Sequence, residues 1–345
     1  MSKDNNKNER FLFSINSQKG GVGKTSIAIA IAGISAFANN RKTIIIDADL
    51  TGTSLRDIEG WENANEKKEN LNDLLLAHPG HYKKYLNDID KFICKIPNFN
   101  EVDFIAASSA FEEIQKIVPL ISQEDHLHFF KHRLQDIILT LFKKNYECII
   151  IDNPPGLFGL SLASLNLIFD DNDKNSDFSE KTNFTSKKAV LITTPDTIDY
   201  RSLLKNYSNL PQIKDNLKDK DKDKMNEIYA KLNLIINKAK PTDGSFFDST
   251  FVFSKFEEHS KTIKDKNNEN ENTKWLLDIF IKKAEKKEAV TGCFVGNHTL
   301  ENILNTCKAV SFDLKESNKD EFYEWLRSTA KTLGMKYIKE ASNLK

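Results

Sequence analysis

The stretch from Ser17 to Thr25, SQKGGVGKT, combines glycines with two lysines and is typical of a loop that binds phosphate. Its glycines allow the backbone to turn so that successive N–H groups face a single anion. Lys24 is expected to reach the β- and γ-phosphates of a nucleotide, and the hydroxyl of Thr25 is expected to bind Mg²⁺. The predicted nucleotide-binding residues of this loop are Lys19, Gly20, Gly21, Val22, Gly23, Lys24, Thr25 and Ser26.

The segments on either side of the loop support this interpretation. Residues 11–15, FLFSI, predict a short buried strand, and the apolar stretch from Thr25 to Ala38 predicts a helix. A strand, a glycine loop and a helix in this order form the context that a phosphate loop requires, and the helix start adds unpaired N–H donors. Gln18 departs from the usual pattern, which has glycine at that position. A glycine-rich turn without a ligand is the alternative, and the motifs that follow disfavour it.

Two other predicted strands end in acidic residues. The β-branched run at 43–46 leads to Asp47 and Asp49, and the run at 148–151 leads to Asp152 and the loop NPPG. Because parallel sheets bind ligands at the carboxyl ends of their strands, these side chains are expected near the phosphate loop. A carboxylate such as Asp152 can hold a water molecule of Mg²⁺, which usually keeps several waters. Aspartates that only end a strand or cap a turn are the alternative.

The string KGGVGKT, in which Lys19 lies five residues before Lys24, resembles the deviant Walker A motif of the ParA/MinD superfamily of ATPases. The segments DAD at 47–49 and DNPPG at 152–156 resemble two further motifs of that superfamily. The resemblance spans motifs from about residue 11 to residue 300 and implies ATP and Mg²⁺ as cofactors. It implies catalytic roles for Lys19, Lys24 and Asp49, and a metal site formed by Thr25, Asp47 and Asp152.

The resemblance also implies a separate role for each of these residues. Lys19 would cross to the phosphates of a second copy of the chain in an ATP-bound homodimer. Asp49 would orient the attacking water, and Asp47 would hold waters of Mg²⁺ or Lys19 itself. The loops at 49–57 and 152–159 would sense the γ-phosphate. Hydrolysis would be slow in a single subunit, because dimerisation or an activating protein completes the site.

A base-binding position is predicted after a later strand, where LNLIIN at 232–237 ends in Asn237. GTPases of related fold read guanine with a motif whose fourth residue is aspartate, whereas this chain has Lys240 at that place. An asparagine amide can both donate to and accept from adenine, so adenine is favoured. Pro195 resembles the residue that packs on the other side of the base, with a simple turn as the alternative.

The alternation of strands and helices predicts an α/β fold with a doubly wound, mostly parallel sheet and helices on both faces, the P-loop NTPase fold. The chain is expected to begin with a disordered tail at 1–10, followed by a single ATPase domain at 11–315. Polar insertions are expected near 170–186, 212–226 and 240–288, and a C-terminal helix at 316–345 is expected to pack on the domain. The predicted strands lie near 11–16, 42–47, 102–106, 147–152, 188–193, 232–237 and 290–295.

Composition narrows the class of protein. The chain has 345 residues with 50 basic and 50 acidic side chains, so no overall charge draws it to nucleic acid or to a membrane. The polar start MSKDNNKNER lacks the apolar region of a signal peptide, which favours a cytoplasmic protein. Four separated cysteines without a C-x-x-C pair are expected to be reduced and packed, which disfavours the branches of the superfamily that hold a metal or cluster between subunits.

Two functions are compatible with these residues. The first is a ParA-like ATPase that positions or partitions a cargo and binds DNA non-specifically as an ATP dimer. The alternative is an ATP-dependent switch that recruits or regulates a partner effector protein without binding DNA or a membrane. A membrane role is disfavoured because the C-terminal segment is neither strongly basic nor strongly apolar.

Overall fold

The structure of the protein, a computed structural model, describes residues 9–50, 55–58, 61, 68–169, 183–211, 213, 222–237, 271–286, 290–291, 303–305, 307, 329–330, 333 and 335. Most of the predicted N-terminal tail, residues 1–8, lies outside the described residues. So does most of the predicted C-terminal helix, although Ala330, Leu333 and Met335 are described and are buried.

Eight strands form the described part of the sheet. They are β1 (Phe11–Ser17), β2 (Thr43–Asp47), β3 (Ile93–Ile96), β4 (Phe99–Ile105), β5 (Cys148–Asp152), β6 (Ser186–Thr193), β7 (Leu232–Ile236) and β8 (Val290–Thr291). Their order across the sheet is β3-β4-β2-β5-β1-β6-β7-β8. Only the β3–β4 pair is antiparallel among the described strand pairs. The phosphate-loop strand β1 therefore lies between β5 and β6, and the loops that follow these three strands share one edge of the sheet.

Nine α-helices are described between and after the strands. They are α1 (Lys24–Gly33), α2 (Leu71–Leu76), α3 (Pro79–Asn87), α4 (Phe111–Ile121), α5 (Leu127–Lys143), α6 (Gly159–Phe169), α7 (Thr197–Tyr207), α8 (Lys222–Lys231) and α9 (Glu271–Glu285). A π-helical turn, Ile34–Ala38, continues α1 and completes the helix that the sequence predicts to Ala38.

The strands alternate their side chains between two hydrophobic cores. In β1, Leu12 packs in the core that contains α5 and α6, whereas Phe13 and Ile15 pack in the core that contains α1. In β5, Ile149 and Ile150 divide between the two cores in the same way. Because both faces of these strands are covered, they read as continuous apolar runs rather than alternating ones. The predicted doubly wound, mostly parallel sheet is confirmed.

All seven predicted strands are present, but the sequence analysis missed β3. This strand has four residues, it lies at the sheet edge, and Lys95 interrupts its apolar pattern by pairing with Asp103 of β4. A tight turn with Asn98 at φ 68° joins the two strands. A short edge hairpin of this kind lacks the long apolar run that marks a central strand. The cysteines described, Cys94, Cys148 and Cys307, are free and buried, as predicted.

Candidate functional site

The phosphate loop connects the end of β1 at Ser17 with the start of α1 at Lys24. The hydroxyl of Ser17 donates to the carbonyl of Lys19 at 2.7 Å, which closes the turn. Gly21 and Gly23 have φ angles of 71° and 92°, which side chains with a Cβ rarely adopt. Val22 is buried, whereas Lys19, Gly20 and Gly21 are exposed. The loop thus has one end packed into the protein and one end facing solvent.

Asn237 packs directly on the buried end of the loop. Its Nδ2 donates to the carbonyl of Val22 at 2.8 Å, and a Cβ on Gly23 would lie 2.4 Å from the same nitrogen. The Asn237 side chain is fully buried, and its Oδ1 has no hydrogen-bond partner among the described residues. This oxygen is therefore available as an acceptor. That Asn237 uses it to recognise adenine stays a prediction.

Lys24, Thr25 and Asp152 form the polar centre of the site. Asp152 ends β5 beside β1, and it is 1 % exposed. Burial raises the pKa of Asp152 to about 6, against the lowering effects of the hydrogen bond from Thr25 and of the Lys24 charge. Asp152 Oδ1 is buried without a hydrogen-bond partner among the described residues. A hydroxyl beside a partly unsatisfied carboxylate fits the oxygen ligands that Mg²⁺ prefers.

Asp47 lies beside Asp152 in the sheet register, but its carboxylate is held by backbone groups. Its Oδ2 accepts from the N–H of Leu55 at 2.8 Å and from the N–H of Ala107 at 3.5 Å. Burial and the neighbouring Asp152 charge raise the pKa of Asp47 to about 8. Asp47 therefore joins the loop after β2 to the loop after β4. Its predicted roles toward Mg²⁺ and toward Lys19 stay predictions.

Asp49 follows β2 at the same edge of the sheet and is half-buried. The backbone between the two aspartates is fixed, since the N–H of Ala48 donates to the carbonyl of Asp152 at 2.9 Å. The charge of Asp49 contributes to the raised pKa values of both Asp47 and Asp152. The three predicted carboxylates thus do come together. Residues 51–54 of the predicted sensing loop lie outside the described residues.

Lys19 forms an ion pair with Asp199, a residue that the sequence analysis did not select. In this structure Lys19 pairs with Asp199 in the first turn of α7, and the predicted contact of Lys19 with Asp47 stays a prediction. The hydrogen bond with Asp199 raises the pKa of Lys19. A signal was present in the sequence, since TPDTID at 194–199 places two carboxylates directly after β6. Pro195 lies half-buried in the same loop, and its contact with a base stays a prediction.

A buried polar network behind the loop after β5 was also missed. Asn153 is fully buried, and its Nδ2 donates to Ser14 Oγ and to the carbonyl of Ile15, both at 3.0 Å. Its Oδ1 accepts from Ser164 of α6 at 3.1 Å. The N–H of Gly156 donates to the carbonyl of Ser17 at 2.8 Å. The predicted sensing loop is thereby attached to β1, to α6 and to the start of the phosphate loop.

A search for membrane spans found no helix in the described ranges that is long and apolar enough to cross a bilayer.

Comparisons with known proteins agree with this geometry. A family model described as an AAA domain matches residues 12–172. The chromosome partitioning protein ParA of Myxococcus xanthus is 29 % identical over 154 residues, which cover 45 % of this chain and 48 % of that protein. The sporulation initiation inhibitor protein Soj of Bacillus subtilis is 31 % identical over 157 residues, which cover 45 % of this chain and 53 % of that protein. The chain thus spans about half the length of the curated relatives it matches.

A solved structure supports the fold over a longer stretch. The complex of a Cyanothece McdA variant with ATP is similar with a TM-score of 0.50 and 13 % identity, covering 95 % of this chain and 98 % of that one. At this identity the likeness concerns the fold alone. The sequence matches cover the loop, the carboxylates and the strands β1, β2 and β5 that position them. The first half of the chain is thus similar to ParA-type proteins, in agreement with the resemblance of its motifs to the ParA/MinD superfamily.

Proposed function

We propose that this protein is a Mg²⁺-dependent ATPase that forms an ATP-bound homodimer and acts as a nucleotide switch. The observation that carries the proposal is the cluster of the buried Lys24 and Asp152 with the half-buried Thr25 at the carboxyl ends of β1 and β5. Such a cluster joins a cation for phosphate to a hydroxyl and a carboxylate for a metal, beside a loop of backbone N–H donors.

Each residue of the site has a defined task in this proposal. Lys24 and the loop N–H groups bind the phosphates, while Thr25 and Asp152 hold Mg²⁺, with Asp47 close enough to contribute through water. Mg²⁺, when bound, neutralises negative charge on the phosphate oxygens. Asp49 accepts a hydrogen bond from the attacking water and orients it in line with the γ-phosphate. Asn237 fixes the buried end of the loop and offers its free oxygen to the adenine amino group.

Homodimerisation explains the second lysine of the loop. Lys19 is 47 % exposed and lies on the solvent side, which supports a contact with the phosphates of another subunit rather than with those of its own. A cation supplied by a second protein molecule accelerates phosphoryl transfer by roughly 10³–10⁵ where such groups have been measured. Exposed apolar side chains follow three strands at this edge and support a protein contact there: Phe111 (66 % exposed), Phe158 (36 %) and Ile198 (66 %).

The switch is proposed to position or partition a cargo, with non-specific DNA binding in the ATP state. The names of two relatives, a chromosome partitioning protein and a sporulation initiation inhibitor, support this direction. The alternative, recruitment of an effector protein in the cytoplasm without DNA, is favoured by α9. This helix belongs to the segment predicted as an insertion, and it packs on α7, the helix that carries Asp199.

The Asp49→Ala protein tests the proposal. Without the residue that orients water, ATP should remain bound, and light scattering should show a dimer with ATP and Mg²⁺ but a monomer without nucleotide. A monomer under both conditions would contradict the homodimer. Retention of plain duplex DNA that requires ATP and weakens with salt supports partitioning. If the ATP dimer forms without retaining DNA, ATP-dependent co-purification of a second protein would favour the effector switch.

A further inference from the structure

The ion pair of Lys19 lies within its own subunit. Lys19 belongs to the loop after β1, and Asp199 belongs to the first turn of the helix after β6, the strand next to β1. The two side chains differ in freedom, because Lys19 is 47 % exposed whereas Asp199 is 13 % exposed. Lys19 is the residue that the proposed dimer needs on the other side of the interface.

The carboxylate is the fixed member of the pair. Asp199 Oδ2 accepts from the hydroxyl of Thr194 at 2.7 Å, and the N–H of Asp199 donates to the capping residue Asp196 at 3.4 Å. The rest of α7 is anchored in the core through Leu203, Leu204 and Tyr207. At its C-terminal end, Ser208 shares a buried hydrogen bond of 2.9 Å with Thr273 of α9. Any separation of the pair must therefore come from movement of Lys19.

We propose that Asp199 is a positioning residue that holds Lys19 on its own subunit until two subunits meet over the nucleotide. On dimerisation Lys19 exchanges this carboxylate for the phosphates of the partner. This proposal rests on the homodimer proposed above. Since the exchange breaks one charge contact in order to make another, the ion pair competes with association and raises the nucleotide-dependent dissociation constant of the dimer.

Protonation of Asp199 does not release Lys19 under ordinary conditions. Burial would raise the pKa of Asp199, but the hydrogen bonds from Lys19 and Thr194 outweigh it and lower this pKa below its usual value. The carboxylate thus stays charged at every pH above about 4. Lys19 is released only when a competing anion, such as the phosphates of a partner-bound nucleotide, is presented to it.

The first test measures association of the full chain with a non-hydrolysable ATP analogue and Mg²⁺ by sedimentation equilibrium. Asp199→Asn keeps the size of the side chain and removes its charge, so the dimer should become about twofold to fivefold tighter, the range expected for one exposed ion pair. Asp196→Asn is the matched control. It removes a neighbouring charge but preserves a good helix cap, and it should change the dimer less than twofold.

The second test is independent of dimerisation. Lys19 in the nucleotide-free protein should react slowly with an N-hydroxysuccinimide ester, and faster in Asp199→Asn than in Asp196→Asn, as measured by peptide mass spectrometry. Equal rates would overturn the ion pair itself. A dimer that is unchanged or weaker in Asp199→Asn would overturn the competition while leaving the homodimer intact. If the unaltered protein forms no dimer with nucleotide, the proposed function fails, and the exchange fails with it.

Discussion

The two ends of the phosphate loop differ in how firmly the protein holds them. At the α1 end, Lys24 is 7 % exposed, Asn237 is bonded to the carbonyl of Val22, and Asp152 lies under the helix start. At the β1 end, Lys19 is half-exposed and depends on an ion pair with Asp199 at the rim of the site. The comparison indicates that one lysine is buried in its own subunit, whereas the other is held at the surface by a single carboxylate, as the proposed exchange requires.

This difference follows from burial. Charged groups that are nine-tenths buried are stable only near a compensating charge, and the Lys24 charge compensates in part for the burial of Asp152. An exposed pair is screened by water and is worth little, so Lys19 can leave Asp199 at small cost. A phosphate loop can therefore obtain one fixed and one exchangeable cation from two lysines that lie at different depths.

The largest expected effect comes from replacing the fixed lysine. Lys24→Ala should lower ATP affinity by at least about a hundredfold, because it removes the phosphate cation and also leaves the buried Asp152 charge uncompensated. Lys19→Ala should keep ATP affinity within about threefold and lose only the dimer. Titration with a fluorescent ATP analogue measures both. If the two variants lose affinity equally, the contrast between the two ends of the loop is wrong.

A smaller effect is expected from alanine substitutions of the glycines at the two ends of the phosphate loop. Gly23→Ala would place a Cβ 2.4 Å from Asn237 Nδ2 at a φ of 92°, so the loop or Asn237 must shift. Strain of this kind costs about 1–3 kcal/mol, which corresponds to a loss of ATP affinity of roughly fivefold to a hundredfold. Gly20→Ala is the control at the exposed end, where the nearest atom, Pro155 Cγ, is 3.9 Å away. The affinity of the Gly20→Ala protein for ATP should change less than threefold. Equal losses would show that the buried end is no more constrained than the exposed end.

The fixed end of the site could be predicted from the sequence, and the exchangeable end could not. Lys24 and Thr25 are the first two residues of α1 and Asp152 is the last residue of β5, and apolar runs mark both of these elements clearly. Asp199 lies inside a helix start, where an acidic residue is common for reasons of capping alone. Its contact with Lys19 depends on β6 pairing with β1, which the pattern of a single strand does not reveal.

Two other features of the fold could not be predicted from the sequence for the same reason. The edge strand β3 is too short and too polar to be separated from a loop, because only its pairing with β4 defines it. The full burial of Asn153 follows from a network with Ser14 of β1 and Ser164 of α6, residues that are far apart in sequence. Local periodicity predicts which residues face a core. It does not predict which buried polar groups will satisfy one another across it.

The smallest expected effect concerns two aspartates with opposite pKa shifts. Asp47 has its pKa raised to about 8 by burial first and by Asp152 second, whereas the pKa of Asp199 is lowered. Below about pH 8 the folded protein keeps the proton on Asp47, whereas the unfolded protein loses this proton above about pH 4. The free energy of unfolding of the nucleotide-free protein should therefore fall as the pH rises, by about 1–3 kcal/mol between pH 6 and 8, a window in which Asp152, with its pKa of about 6, is already at least half ionised.

Variants assign this slope to one side chain. Asp47→Asn should remove it, because an amide has no proton to lose in this range, and urea unfolding at pH 6 and pH 8 measures the change. Asp199→Asn should keep the slope, since the lowered pKa of Asp199 adds a contribution to stability that is constant at pH 6–8 and is lost only in acid. A slope that survives in Asp47→Asn would mean that the backbone contacts from Leu55 and Ala107 stabilise a charged carboxylate. Asp47 would then belong with the charged groups of the site, and the loops after β2 and β4 would be joined through an anion rather than through a neutral acid.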